Sequence, residues 1–406
     1  MKRFFFSVIV LSAVATGCTK SGIIESPIYD SPISFEPYTG RTPVTKATEA
    51  NEATIKTTGF HVTGFMEAKG AISDKTKPYM NKDVNYDTAT SKWKYEGAAY
   101  WPESGSLSFV AYGLNAGAAF TETTAGDYTN FTYRVPDNVA EQKDLLISDL
   151  IKGKSIDDDG PVQVTLKHVL SKVGFKVATN NPTTDATVKV TIKNITLNGV
   201  FKKEGTVDLT SETAAITPGS ETKNKYSLFD SEYTKGATGT GFHGFITGNT
   251  GADTPVTVYN NTSFDGGTTY NNKTETVPNR TADVDADRFM MIMPGTVENL
   301  QTQDIYDING DGKTDDATTV PYIEVIYQLT DAEEQVARVP LQINTGTAEA
   351  PVYKNWEFKP GTAYEFVFKV STTAVGFTAT VEPWKDSNGT ANAADSEEFN
   401  LTPEIN

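Results

Sequence analysis

The sequence predicts an all-β protein of two β-sandwich domains behind an export leader. Three observations carry that expectation. Short runs of alternating apolar and polar residues recur along the chain, separated by Gly, Asn, Asp and Pro, whereas helical periodicity is scarce. Residues that suit a pleated surface are abundant, with 18 Tyr and 21 Phe beside plentiful Thr and Val. The 406 residues suffice for two domains of ordinary size, each with its own core. A single cysteine offers no disulfide framework, so burial must supply the stability.

The elements follow in chain order. Lys2 and Arg3 precede an apolar run over residues 4–14 and then Ala15-Thr16-Gly17-Cys18. The run is too short for a permanent membrane span, and its small-residue exit marks an export signal. Residues 1–17 therefore read as a lipoprotein signal peptide, with Cys18 as the first mature residue and the site of lipidation. The plainer alternative is a secretory leader with a chance cysteine. Residues 18–46 form a Ser-, Pro- and Thr-rich linker holding one strand-like piece at 33–38, followed by Arg41 and Lys46 in turn-like surroundings.

Residues 47–158 read as the first sandwich, with strand patterns at 60–65 and 107–112. The acidic turn Asp157-Asp158-Asp159-Gly160-Pro161 marks the expected boundary. Residues 159–406 then form the second sandwich, with strand patterns at 188–192, 323–327 and 364–370. In the last of these Tyr364, Phe366, Phe368 and Val370 share one face, while Glu365 and Lys369 take the other. Stretches around 210–285 and 304–318 read as long loop insertions.

The chemistry on offer is sparse. With 35 basic and 52 acidic residues the net charge is −17, which excludes a nucleic-acid footprint. His61, His168 and His243 are far apart in sequence, and no HExxH, G-x-S-x-G or phosphate-loop pattern occurs. His168 reads as a strand residue beside the core. A glycosidase would need two carboxylates facing one cleft, and the acidic residues here sit mainly in turns. No catalytic residue is assigned, and the chain reads as a non-enzyme. Trp93, Trp101, Trp356 and Trp384 would suit a sugar platform, yet each lies beside a strand signal or a proline, where packing is the commoner role. One segment has the spacing of a calcium loop: Asp307, Asn309 and Asp311 at positions one, three and five, then Gly312, with Asp315 and Asp316 beyond. Thr318 stands where such a loop has its bidentate Glu. A structural calcium ion is one reading, and an Asp/Asn/Gly hairpin turn is the other.

The ordered series of segments resembles a known family. It comprises the leader ending at Cys18, the 33–35 strand, a basic site before Ala47, and Thr58-Gly59-Phe60. It continues with Trp93-Lys94-Tyr95, Tyr100-Trp101-Pro102, the 107–112 strand and Lys143-Asp144-Leu145-Leu146-Ile147. The segments 166–173, 289–294 and 361–364 complete it. Together these are similar to the fimbrillin family, in particular its Mfa-like branch of Bacteroidales pilus lipoproteins. The resemblance implies two sandwiches of transthyretin-like, Greek-key topology and a structural, adhesive role in a pilus. It implies a precursor held in the outer membrane by lipid, a trypsin-like protease cutting after Arg41 or Lys46, and release of the 33–38 strand. The partners it implies are other pilus subunits, joined by strand exchange, and a ligand on a host or bacterial surface. The tail residues Phe399, Leu401 and Ile405 alternate and are the candidate donor strand, with an ordinary last strand as the other reading. The competing function is a monomeric, surface glycan-binding lipoprotein.

Overall fold

In the strand over residues 107–113, Leu107, Phe109 and Ala111 enter one apolar core while Val110 and Tyr112 enter another. A strand buried on both faces belongs in the middle of a layered fold. The computed structural model describes residues 31–38, 52–115, 120–179, 190–228, 245–247, 256–257, 290–301, 318–329, 332–347, 350–370, 375–383, 397–401 and 404–405.

Strand β1 (Phe35–Tyr38) comes first, followed by one short helix, α1 (Glu52–Thr58), which is anchored by the buried Ile55. Gly59 ends the helix: its N–H donates to the Ile55 carbonyl at 2.7 Å, and its φ of +80° is one that side-chain-bearing residues rarely adopt. The chain continues through β2 (Phe60–Ala68), β3 (Met80–Asp87), β4 (Lys92–Lys94) and β5 (Leu107–Gly113). Then come β6 (Phe120–Glu122), β7 (Asn130–Arg134), β8 (Leu146–Ser148) and β9 (Val162–His168). The later strands begin with β10 (Ser171–Thr179), β11 (Val190–Lys202), β12 (Glu204–Asp208), β13 (Ile216–Pro218) and β14 (Thr222–Ser227). They end with β15 (Tyr322–Leu329), β16 (Glu334–Pro340), β17 (Thr362–Val370), β18 (Val375–Pro383), β19 (Glu397–Leu401) and β20 (Glu404–Ile405).

The fold is all-β, as the alternation predicts. A nine-stranded sheet runs in the order β1-β9-β8-β5-β2-β3-β4, with two short strands paired off that path. It packs against a four-stranded sheet, β13-β12-β7-β6, where Tyr112 meets Phe131 at 5.2 Å between ring centres. In the second sandwich, one sheet contains β10-β17-β18-β19 and the other β14-β11-β15-β16-β20. Tyr327 and Phe368 join those two sheets at 5.2 Å, edge to face. Strand β10 runs parallel to β17, which brings residue 171 beside residue 362.

The sheets do not part at residue 158. The acidic turn ends within the first sheet: Ser155 donates its N–H to the Asp158 carboxylate at 2.7 Å, and β9 then pairs with β8 and β1. Gly and Asp mark a change of direction, and a hairpin-type turn uses them as readily as a domain linker does. Part of the 210–285 stretch is strand: β13 forms a hairpin with β12, and β14 pairs with β11. Strand β12 returns to pair with β7 and carries β13 on its other edge, and a single apolar cluster runs from Phe65 and Phe131 through to Phe368. At this crossing Lys203 Nζ lies 2.8 Å and Lys223 Nζ 3.0 Å from the Asp137 carboxylate, while Arg134 pairs with Glu221.

One local motif recurs at the turns. In Asp74-Lys75-Thr76, Asp127-Tyr128-Thr129 and Asp208-Leu209-Thr210, the threonine N–H reaches the aspartate carboxylate at 2.9 Å and its hydroxyl reaches the same oxygen at 2.6 to 2.7 Å.

Three buried tyrosines tie stability to high pH. Burial pushes the phenols of Tyr133 and Tyr226 well above their usual range and that of Tyr364 up to about 12. Tyr364 accepts the Lys359 N–H at 2.6 Å and donates to the Glu357 carbonyl at 3.2 Å. In the unfolded chain these groups ionise near 10, so between about pH 10 and 12 the folded state binds more protons and its stability falls. An alkaline titration should therefore show tyrosinate absorbance rising in a cooperative step with loss of near-UV dichroism. Gradual ionisation with tertiary structure intact would contradict this.

Candidate functional site

The feature set apart from the rest of the fold is the short stretch at its start. Residues 31–38 join the two ends of the nine-stranded sheet. On one side β1 runs parallel to β9, with Phe35 opposite Val162 and Tyr38 opposite Thr165. The Val162 N–H donates to the Ser34 carbonyl at 2.8 Å. On the other side Pro32 bridges to Tyr100, and the Ile33 N–H donates to the Ala99 carbonyl at 2.8 Å. Residues 99–101 follow β4, the far edge strand, so the sheet curls round and residues 31–38 close its seam.

Two side chains enter the enclosed core. Ile33 is 1 % exposed and Phe35 4 %, among Trp101, Phe109, Val162 and Val164. Phe35 meets Phe109 edge-on at 5.4 Å and Tyr95 at 6.0 Å. Glu36 faces outward, and Gln163 donates to its carboxylate at 3.1 Å. Full burial of side chains of this size contributes roughly 1.5–3 kcal/mol each. Each backbone hydrogen bond adds a net of only about 1 kcal/mol. The backbone ladder of β1 is short and parallel, and Pro37 has no N–H to donate. The seam strand is thus held by two apolar anchors together with a short backbone ladder.

The other sequence-predicted residues fall as follows. Cys18, Arg41 and Lys46 lie outside the described residues, as do Asp307, Asn309, Asp311, Asp315, Asp316, His243 and Trp384. Among the described residues no group of three or more His, Cys, Asp and Glu could hold a metal ion. The tail pairs within its own chain: Phe399 lies opposite Ala379 and Leu401 opposite Phe377 at the edge of one sheet, and Ile405 lies opposite Ala337 at the edge of the other. His168 sits 2.7 Å from the buried Asp144 carboxylate at the end of β9. His61 lies between Asp83 and Asn81, at 2.5 and 2.6 Å. The two histidines are on different strands with different partners. Trp101 and Trp356 are buried and so offer no open platform for a sugar, whereas Trp93 is partly buried and packs edge-on against Phe60 and Tyr86.

The closure by residues 99–101 and the role of Tyr95 were not foreseen. The aromatic density around Trp93-Lys94-Tyr95 and Tyr100-Trp101 was the available signal, but composition does not say which segment will lie beside it.

The fimbrillin-like family model matches residues 45–286. The chain is also similar to a fimbrial protein from Bacteroides vulgatus, at 17% identity and a TM-score of 0.48, over 87% of this chain and 99% of that one. A candidate cell adhesion protein from Bacteroides uniformis is similar at 15% identity and a TM-score of 0.43, over 87% of this chain and 99% of its own. No curated protein matches.

If Phe35 anchors the seam, Phe35→Ala should lower stability by about 3–5 kcal/mol in denaturant unfolding, the usual range for emptying an aromatic site. Gln163→Ala, on the outer face of β9, should stay within about 0.5 kcal/mol. Equal effects for the two would contradict the anchor role.

Proposed function

The chain belongs to the fimbrillin-like family, and on that premise we propose that it is a structural, adhesive pilus subunit, exported as a lipoprotein precursor and assembled by protease-triggered strand exchange. The observation that carries this reading is the seam strand, which completes the core with Ile33 and Phe35 and has a ladder of only four residues on β9. Arg41 and Lys46 follow it closely in sequence.

In this reading acylated Cys18 holds the precursor in the outer membrane, which puts the protein on the cell surface. A trypsin-like protease cuts after Arg41 or Lys46, and the seam strand then has only its own contacts to keep it in place. Its departure would expose unpaired backbone on β9 and residues 99–101 together with the apolar sites of Ile33 and Phe35. An exposed edge over an open core recruits another strand, and one longer than β1 gains further ladder bonds even where a proline such as Pro403 interrupts them. The tail around Phe399, Leu401 and Ile405 of a second subunit is the proposed donor. It would first have to leave the edges of β18 and β16, where it pairs in its own chain. The reading needs no catalysis and no cofactor. A calcium ion at residues 307–316 would only stiffen a loop, and adhesion would rest on a ligand of host or bacterial surfaces.

Treating the purified precursor with a trypsin-like protease tests this directly. The expected result is a new N-terminus after Arg41 or Lys46, followed by denaturant-resistant multimers, both abolished in the R41A/K46A variant. A cut chain that keeps residues 31–38 and stays monomeric would overturn it.

A further inference from the structure

Tyr95 stands where the two ends of the curled sheet meet, and it touches the seam strand twice. Its hydroxyl donates to the Ile33 carbonyl at 2.6 Å. The same hydroxyl lies 3.4 Å from both the N–H and the carbonyl of Ala99, the neighbour on the opposite side of the seam. Its ring meets Phe35 at 6.0 Å, tilted by 58°. One rigid side chain therefore contacts the carbonyl of one seam residue and the side chain of the residue two positions further on. Burial raises the phenol above its ordinary range, which keeps it protonated and able to donate.

Successive side chains of a strand point to opposite faces, and its carbonyls alternate in direction with the same period. A strand slipped by one residue would turn its apolar set outward and aim its carbonyl away from Tyr95. Phe109, edge-on to Phe35 at 5.4 Å, walls the same pocket but offers no polar group. Phe109 can therefore read size, while Tyr95 can read size and phase together.

We infer that Tyr95 is the positioning residue that sets the phase of any strand occupying this seam, the chain's own or a donated one. The segment it favours is extended, with an aliphatic residue facing inward and an aromatic residue two positions later. This inference rests on the strand-exchange reading and adds to it a chemical description of the strand accepted.

The test uses the full chain cut after Arg41 or Lys46 and a labelled synthetic strand of residues 31–38. A second strand carries an ester in place of the amide between residues 33 and 34, which weakens the residue-33 carbonyl as an acceptor. Loss of one such hydrogen bond should speed departure of the amide strand from Tyr95→Phe about fivefold to tenfold. The ester strand should leave the unaltered protein faster than the amide strand does. In Tyr95→Phe that difference should shrink, because the donor is already gone. A peptide with its apolar residues moved by one position should be rejected by the unaltered protein and discriminated less by Tyr95→Phe. Ester and hydroxyl effects that simply multiply would overturn the assignment. Should Tyr95→Phe fold poorly, equal departure of ester and amide strands from the unaltered protein would overturn it equally. Failure of the cut chain to exchange residues 31–38 at all would instead defeat the strand-exchange reading.

Discussion

The first sandwich depends on how its curled sheet is closed. A sheet that bends round a core leaves two edges, and each edge carries backbone groups that must be paired or wet. Here a segment of eight residues meets both edges at once, β9 through residues 34–38 and residues 99–101 through residues 31–33. The core within the curl, from Phe60 and Val62 to Phe109 and Val164, stays dry because Ile33 and Phe35 complete it. The closing piece is laddered to β9 over four residues. The proposed function joins the integrity of this core to removal of the strand that closes it.

The second sandwich is built differently. Its strands are long, with nine residues of β10 registered against β17 and nine of β17 against β18. The chain passes from β11 directly into β12 and so from one sandwich into the other, with Lys203 between them, paired to Asp137. One apolar cluster spans the crossing. Loss of the seam strand therefore removes a stave from a molecule whose remaining layers are fastened to each other.

Much of this was legible in the sequence where it is local. The strand at 107–113 and the inward face of Tyr364, Phe366 and Phe368 follow from alternation, and those three side chains are buried as that pattern expects. The family resemblance also pointed to a first strand set apart from the rest. Pairing is not local, and this is where the reading failed. Nothing near Asp158 says that the next strand rejoins the first sheet, and nothing near Glu204 says that it seeks Arg134. Tyr95 was visible as part of an aromatic motif. Its contact with the Ile33 carbonyl spans 62 positions, so it depends on the closure itself.

The most direct measurement of the central claim is amide hydrogen exchange on the intact chain and on the same chain cut and depleted of residues 31–38. The account predicts that Trp101 and the amides of β9, Val162 foremost, lose protection together while β10, β17 and β15 keep theirs. Unchanged protection along β9 would mean that the strand does not close the seam. Collapse of protection throughout both sandwiches would mean that it cannot be spared.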